Sequence, residues 1–256
     1  GLNSVRRGVN RIVGPPLAAL LLAAGPIGGI LAFDVVTAFF AVVPLLFMKI
    51  PEPEPQAAAQ GEALMGALRQ IAADTSAGFR YIWEWKGLFV AIVSMSVVGF
   101  FVVPTNRLAP LVISEHFGLD ADALALHSAV IGAGVICGGL LMSSWGGFRR
   151  RFTTMVLGLL GFGLFGMVRG MAPSNAFWLW IGASFLRNVF NEMTFVPLEA
   201  ILQSAVPPEM QGRVFAARNS LFMGVGPLGF LILGPLADVV GPLPLITLSG
   251  VVVLLL

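Results

Sequence analysis

The sequence predicts an all-α membrane protein, a bundle with about eight transmembrane helices. The chain has 256 residues, of which 57% are hydrophobic and only 11% charged, with a mean hydropathy of +0.91. A soluble domain carries about 25% charged residues. A chain with this composition cannot bury all of its hydrophobic side chains in the core of a water-soluble domain of this size. Lipid must therefore be its solvent. Its apolar residues also fall into runs of about 20, the length that an α-helix needs to cross a bilayer.

Eight apolar runs follow one another along the chain. The first two are free of charge or charged only near their ends, and the sixth carries several charges and is the least regular. The predicted spans are residues 12–31, 33–50, 87–113, 123–145, 152–171, 177–205, 219–237 and 239–256. Gly1 is not an initiator Met and the chain stops inside an apolar run, so we expect a fragment that is open at both ends.

The basic residues give an orientation. If Gly1 lies in the cytoplasm, all but three of the 15 Lys and Arg residues fall in cytoplasmic segments. The exceptions are Arg107 and Arg169, expected on the outer side, and Arg187, expected in mid-membrane. Cytoplasmic loops of membrane proteins are enriched in Lys and Arg. We therefore expect a multi-pass protein of the cell (inner or plasma) membrane with both ends of this chain in the cytoplasm.

A polar connection divides the chain into three segments. Residues 1–50 are expected to end an N-terminal half with two transmembrane helices, and residues 87–256 to form a C-terminal half with six. Between them, residues 51–86 form a cytoplasmic linker, which starts with the stiff string Pro51-Glu52-Pro53-Glu54-Pro55. Apolar residues at helical spacing and an aromatic cluster near Trp83 then predict a helix on the inner membrane surface.

One pattern occurs twice. Gly14-Pro15 follows Arg6 by eight positions, and Gly226-Pro227 follows Arg218 by the same interval, each opening an apolar helix. Internal repeats of this kind are typical of transporters built from two similar halves. We interpret the Gly-Pro pairs as helix bends and close-packing points.

Three stretches resemble the major facilitator superfamily, and within it the drug-efflux branch that includes macrolide exporters and the enterobactin exporter. Residues 14–19 (GPPLAA) are similar to the Gly-Pro motif of the fifth helix of proton-coupled antiporters, with alanines where that motif has glycines. Residues 206–214 (VPPEMQGRV) resemble the loop between the tenth and eleventh helices. Residues 132–151 resemble the eighth helix and its basic loop, without the aspartate that usually precedes the arginines.

The resemblance covers the chain as helices five to twelve of twelve and implies a function. It implies a secondary transporter that exports hydrophobic or amphipathic small molecules of the drug or macrolide type by proton-coupled alternating access. The implied partners are the lipid bilayer, a small-molecule substrate and protons, with a monomeric protein and no cofactor. The alternatives are a siderophore or lysophospholipid carrier and a non-transporting membrane sensor on the same scaffold.

The sixth predicted span carries the candidate substrate or proton pathway. At about 100° per residue, Asn191 lies about 40° from Arg187 and Glu192 about 40° from Asn188, so these four residues share one polar sector. A charge at mid-bilayer costs about 2.5–3.5 kcal/mol, so such residues usually have partners and a role. Either Arg187 and Glu192 line the transport path, with Glu192 as proton carrier, or the set fixes helix packing.

Two further pairs are candidates for gating. Asn106 and Arg107 follow Pro104, whose ring could bend the helix near its outer end, although Arg107 also suits an arginine that reaches the outer headgroups. Arg213 and Arg218 border what the sequence suggests is a short cytoplasmic turn. By resemblance they could close the inner face by pairing with acidic groups, of which Glu209 is the local candidate, or they could serve topology alone.

Other classes of function are disfavoured. The basic residues form no stripe, so no nucleic-acid partner is expected. Cys137 is the single cysteine, and no second His or Cys stands at ligand spacing, so we expect no metal site. His127, near Asp120 and Asp122, is interpreted as an interfacial histidine or a pH sensor. No nucleophile–base pair suggests an enzyme.

Overall fold

A computed structural model describes residues 36–40, 42–43 and 63–256. Within these ranges residues 36–40 and 42–43 are helical, and every later element is a helix as well. The predicted span 12–31 with Gly14 and Pro15, and the proline-rich string 51–55, lie outside the described residues.

Eight α-helices and one π-helical turn make up residues 63–256. We number the α-helices in chain order from residue 63, and the π-helical turn Val112–His116 follows α3. They are α1 (Ala63–Glu84), α2 (Lys86–Arg107), α3 (Ala109–Leu111), α4 (Ala121–Trp145), α5 (Arg151–Gly170), α6 (Phe177–Ala205), α7 (Pro208–Val240) and α8 (Pro242–Leu255).

Most of the longer helices in this bundle have the length and the composition of membrane-spanning helices. Four stretches are long and apolar enough to cross one: Lys86–His116, α4, α5 and α7. Helix α8 is apolar but shorter, and α6 has 29 residues but carries Arg187, Glu192 and Glu199. Those three charges explain why α6 is the least obvious span in the sequence, and why its polar side must be covered by other helices.

From residue 86 to residue 256, the helix boundaries agree with the predicted spans to within a few residues, with one exception. Helix α7 begins at Pro208, well before the predicted start at residue 219. Pro208 fits the first helical turn because its missing N–H has no intrahelical partner there. Arg213 and Arg218 therefore lie within α7, and the prediction that they border a short turn was wrong. The turn itself is confined to Val206 and Pro207, between α6 and α7.

Helix α6 lies at the centre of the bundle, between α4 and α5. Helix α5 packs on α8, α8 on α2, and α2 on α7. Glycines permit the closest of these approaches: a Cβ added at Gly138 of α4 would lie 2.8 Å from the Val189 carbonyl oxygen of α6. Gly158 and Gly161 of α5 face α6 in the same way. Small residues at such crossings are the usual means by which membrane helices approach.

The C-terminal end of helix α1 packs against the rest of the bundle. Gly78 packs against the Arg213 backbone carbonyl of α7, and Ile82 is buried beside Leu202 and Val214. Trp83, in contrast, is exposed. Only part of the aromatic segment before α2 is thus available to a membrane surface.

Two apolar clusters occupy opposite ends of the bundle. One contains Ile82, Leu202 and Val214, and the other contains Val112, Trp180 and Ile246. Helix α6 contributes residues to both clusters, and α2 contributes to the first and leads through α3 and the π-helical turn to the second, so a middle region of the bundle lies between two apolar cores. The polar side chains of α6 face that middle region.

Candidate functional site

A cavity of about 440 Å³ opens between the second half of α2, the middle turns of α6 and the first half of α7. Its polar lining comes from four asparagines, two arginines and one glutamate: Asn106, Asn188, Asn191, Asn219, Arg187, Arg218 and Glu199. Its aromatic lining is Phe162, Phe195 and Phe222. The volume lies within the range of small-molecule sites, which combine apolar walls with a few placed polar groups.

Three side chains form what we call the arginine cluster: Asn106, Arg169 and Arg187. Arg187 Nη1 donates a hydrogen bond to Asn106 Oδ1 at 3.2 Å, and Arg169 Nη2 donates to the same oxygen at 3.3 Å. The two guanidinium groups come from different helices, α6 and α5, and both are buried, with exposed fractions of 4% and 1%. One amide oxygen at the end of α2 thus joins three helices.

Aromatic rings cover both guanidinium groups. The Arg169 guanidinium carbon lies 4.8 Å from the Trp180 ring centroid, and that of Arg187 lies 4.1 Å from the Phe162 centroid. Cation–π contacts of this kind are worth about 2 kcal/mol when desolvated. Arg169 Nε and Trp180 Nε1 are buried without a hydrogen-bond partner among the described residues. The rings therefore offset part of the cost of burying the two positive charges.

Glu192 is 1% exposed and does not line the cavity. Its Cβ would lie 2.9 Å from a Cβ placed at Gly138, so the residue faces α4. Asn188 reaches the cavity while its Nδ2 donates to the Ser184 carbonyl oxygen at 2.8 Å. The polar sector that the sequence indicates is thus shared: Arg187, Asn188 and Asn191 line the cavity, and Glu192 lies at the α4–α6 contact.

A second charged site lies toward the other end of the cavity. Arg218 Nη2 of α7 is 3.6 Å from Glu199 Oε1 of α6, with the arginine largely buried and the glutamate half-exposed. Glu199 lies 12 residues after Arg187, about 18 Å along the helix. The acidic partner of Arg218 is therefore Glu199 and not the nearby Glu209.

The remaining predicted residues lie apart from these contacts. Arg107 is exposed and borders an open surface depression with Asp120, and the lining of that depression includes no residue of the arginine cluster. Arg213 is exposed, with Nη1 4.0 Å from Met210 Sδ. Gly226 faces Val103 of α2, and α7 continues as a helix through Pro227.

Arg169 and His127 are more deeply buried than the sequence predicts. Arg169 was expected at the outer surface and is instead buried in the arginine cluster. His127 was expected at an interface and is also buried, with Nε2 3.3 Å from Ser184 Oγ and its ring 5.8 Å from that of Trp180. For a residue near the end of an apolar run, the sequence does not indicate whether its side chain is buried or exposed.

The described residues contain no group of three or more His, Cys, Asp or Glu side chains that could hold a metal ion. Cys137 is exposed on α4. The chemistry that the cavity offers is therefore hydrogen bonding by amides, charge from arginine and glutamate, and apolar contact with phenylalanine.

Known proteins resemble this chain over most of its length. Macrolide efflux protein A of Streptococcus pyogenes is 22% identical over 254 residues, which cover 99% of this chain and 61% of that protein. Macrolide efflux protein A of Enterococcus faecalis is 23% identical over 229 residues (90% of this chain, 69% of that protein). Multidrug efflux pump Tap of Mycolicibacterium fortuitum is 25% identical over 231 residues (90% and 54%).

The chain thus spans about three fifths of the length of the first of these relatives. No solved structure matches it. The model of one family, the Major Facilitator Superfamily, matches residues 7–230. That match covers most of the chain and agrees with the apolar, all-helical bundle and its polar central cavity, so the chain belongs to the Major Facilitator Superfamily.

Proposed function

We propose that this chain is part of an efflux transporter that moves hydrophobic or amphipathic small molecules out of the cell. The observation that carries the proposal is the cavity between α2, α6 and α7, where polar groups lie among phenylalanines inside an apolar bundle. The named functions of the three relatives, macrolide and multidrug efflux, support the same class of substrate.

The cavity suits shape-tolerant binding of such molecules. Phe195 and Phe222 offer flat apolar surfaces, and the amides of Asn191 and Asn219 can each donate and accept hydrogen bonds. Burial of a substrate's apolar area contributes roughly 25 cal/mol per Å², without a requirement for one fixed geometry. A few hydrogen bonds then orient the molecule.

Transport is proposed to occur by alternating access driven by inward proton flow. Glu192 is the proposed proton carrier because it is a buried carboxyl group on the helix that lines the cavity, one turn from Asn188. Arg218 and Glu199 are proposed to help close the end of the cavity that lies toward the cytoplasm. The protein is proposed to be a monomer of the cell membrane, with residues 146–150 and 206–207 on the cytoplasmic side.

An accumulation assay tests the proposed function. Cells that express the full-length protein containing this chain are loaded with a fluorescent amphipathic drug, and efflux is followed with and without a protonophore. We expect expression to lower intracellular drug several-fold and the protonophore to abolish the difference. Efflux that persists after the proton gradient collapses would contradict proton coupling. Drug that binds to purified protein in proteoliposomes without crossing the membrane would indicate the sensor alternative.

A further inference from the structure

Asn106 has a fixed orientation in the cavity wall. Its side-chain oxygen accepts hydrogen bonds from Arg169 and Arg187, whose guanidinium groups have donors only. The side-chain amide cannot be rotated by half a turn, because its NH2 group would then face the N–H donors of both guanidinium groups. The oxygen must therefore point at the arginines and the NH2 group away from them.

That NH2 group is available to a ligand. Asn106 is exposed and lines the cavity, and its Nδ2 has no hydrogen-bond partner in the part of the chain that the structure describes. Arg187 borders the same part of the cavity. The end of the cavity at the arginine cluster thus presents an oriented amide donor backed by two cations.

The charges around the cavity are unequal. Among described residues that are buried in the bundle or line the cavity, the arginines are Arg169, Arg187 and Arg218, and the carboxylates are Glu192 and Glu199. Glu199 is paired with Arg218, which leaves Arg169 and Arg187 against Glu192 and hence a net excess of one positive charge. In an apolar environment this excess favours an electron-rich ligand group and opposes a second cation.

We propose that this end of the cavity binds the polar end of the substrate through an acceptor oxygen, a carboxylate or a carbonyl, and disfavours an ammonium group. The inference rests on the proposed function, since it assigns a substrate class to the same cavity. The acceptor receives a hydrogen bond from Asn106 Nδ2 beside the Arg187 guanidinium, and the apolar part lies against Phe222. Asn106 is the specificity-determining residue, and Arg169 is a positioning residue that holds it.

A binding experiment on the full-length purified protein in lipid nanodiscs tests this proposal without requiring transport. Three fluorescent amphipaths share one aromatic body and alkyl chain and end in a carboxylate, a methyl ester or a primary amine. Empty nanodiscs give the membrane background. A hydrogen bond to or from a charged group changes affinity by roughly tenfold or more. We expect the carboxylate and the ester to bind at least about tenfold more tightly than the amine.

The two acceptor probes separate charge from hydrogen bonding. Tighter binding of the carboxylate than of the ester assigns part of the preference to the arginines, and equal binding assigns it to the amide donor. Either result supports the proposal. Amine binding that equals or exceeds that of both acceptors, or failure of all three probes to bind while the protein still exports drug in cells, would overturn it and leave the proposed efflux function standing.

The variant Asn106→Asp sharpens the test. A carboxylate at this position still accepts hydrogen bonds from both arginines, but the substitution removes the NH2 donor and adds one negative charge. We expect binding of the carboxylate probe to fall roughly tenfold and binding of the amine probe to rise. Asn175→Asp, the same change on the exposed loop between α5 and α6, should leave the order of the probes unchanged. If Asn106→Asp does not fold, the order of the probes on the unaltered protein still decides the proposal.

Discussion

Asn106 and the two arginines show how few side chains organise the middle of this bundle. Arg169 and Arg187 are both buried, and each is covered by an aromatic ring while donating to one amide oxygen. A single buried and unpaired charge would cost several kcal/mol. Shared hydrogen bonding and cation–π contact lower that cost and fix the three helices relative to one another.

Glu192 provides the first test at the residue scale. In Glu192→Gln the side chain keeps nearly the same size and one of its two oxygens. The amide cannot take up and release the proton that Glu192 is proposed to carry. We expect transport against a gradient to be lost, with expression close to normal, as measured by drug efflux and by the protein recovered from membranes. Glu84→Gln, at an exposed carboxylate at the end of α1, is the matched control and should transport normally. Normal proton-coupled efflux by Glu192→Gln would end the proposed role.

The Glu199–Arg218 contact provides the second test. Arg218→Glu places two carboxylates where 3.6 Å now separates opposite charges, so we expect efflux to fall severalfold. The exchange of both residues, Glu199→Arg with Arg218→Glu, should recover much of the activity, with a coupling free energy of about 1 kcal/mol. The exposed pair Arg80–Glu84, 4.0 Å apart, is the control, and its exchange should change little. A double variant no better than Arg218→Glu would show that the contact does not matter for transport.

At the scale of elements, glycines determine how closely α4 and α5 pack against α6. Gly134 and Gly138 of α4 lie against the backbone of α6, and Gly158 and Gly161 of α5 lie against its other side. The sequence indicates the packing role of the α4 glycines because small residues recur along one face. It does not indicate the partner helix, since a small-residue face fits any neighbour.

Gly138→Ala tests this packing. The added Cβ would lie 2.8 Å from the Val189 carbonyl oxygen and 2.9 Å from Glu192 Cβ, so α4 and α6 must separate. We expect a loss of about 1–3 kcal/mol in stability, measured as a lower thermal unfolding midpoint in detergent. Gly182→Ala on α6, where no atom lies within 4 Å of the added Cβ, should lose no stability. Equal midpoints for the two variants would contradict the close-packing role.

Helix boundaries separate what sequence pattern can and cannot predict. The ends of α4, α5 and α6 lie close to the predicted ones because Gly146 ends α4 with a left-handed backbone, arginines precede α5, Ser174 and Asn175 separate α5 from α6, and Pro207 and Pro208 follow α6. The start of α7 was predicted too late, because Gly212 and Arg213 look like turn residues in isolation. Packing of that first part of α7 against α1 keeps the helix intact.

At the scale of the whole molecule, the bundle has apolar clusters at both ends and the polar cavity between them. Many large apolar side chains of α7 and α8 face outward, as expected for surfaces that meet lipid or other helices. The distribution of basic residues predicts which end faces the cytoplasm.

Cysteine labelling tests this orientation. Ser174 and Ser204 are exposed and flank opposite ends of α6, so the same conservative change can report on both sides of the membrane. In a Cys137→Ser background, Ser174→Cys should react with a membrane-impermeant maleimide in intact cells. Ser204→Cys should react only after lysis. The reverse pattern would show that the chain is inserted the other way.

The class of the protein follows from its amino-acid sequence. Composition and runs of about 20 apolar residues suffice for an all-helical membrane bundle, because burial in lipid depends on residue type and length alone. The polar sector of α6 was also predictable, since the helical period places Arg187, Asn188 and Asn191 together.

Which side chains contact one another depends on how the helices pack. Asn106 and Arg169 are 63 residues apart in the chain, and Glu199 pairs with Arg218 across two helices. Helix packing also places Glu192 against α4 and not in the cavity. Such contacts depend on the rotation and crossing of whole helices, which are set by packing at glycines and not by local sequence pattern.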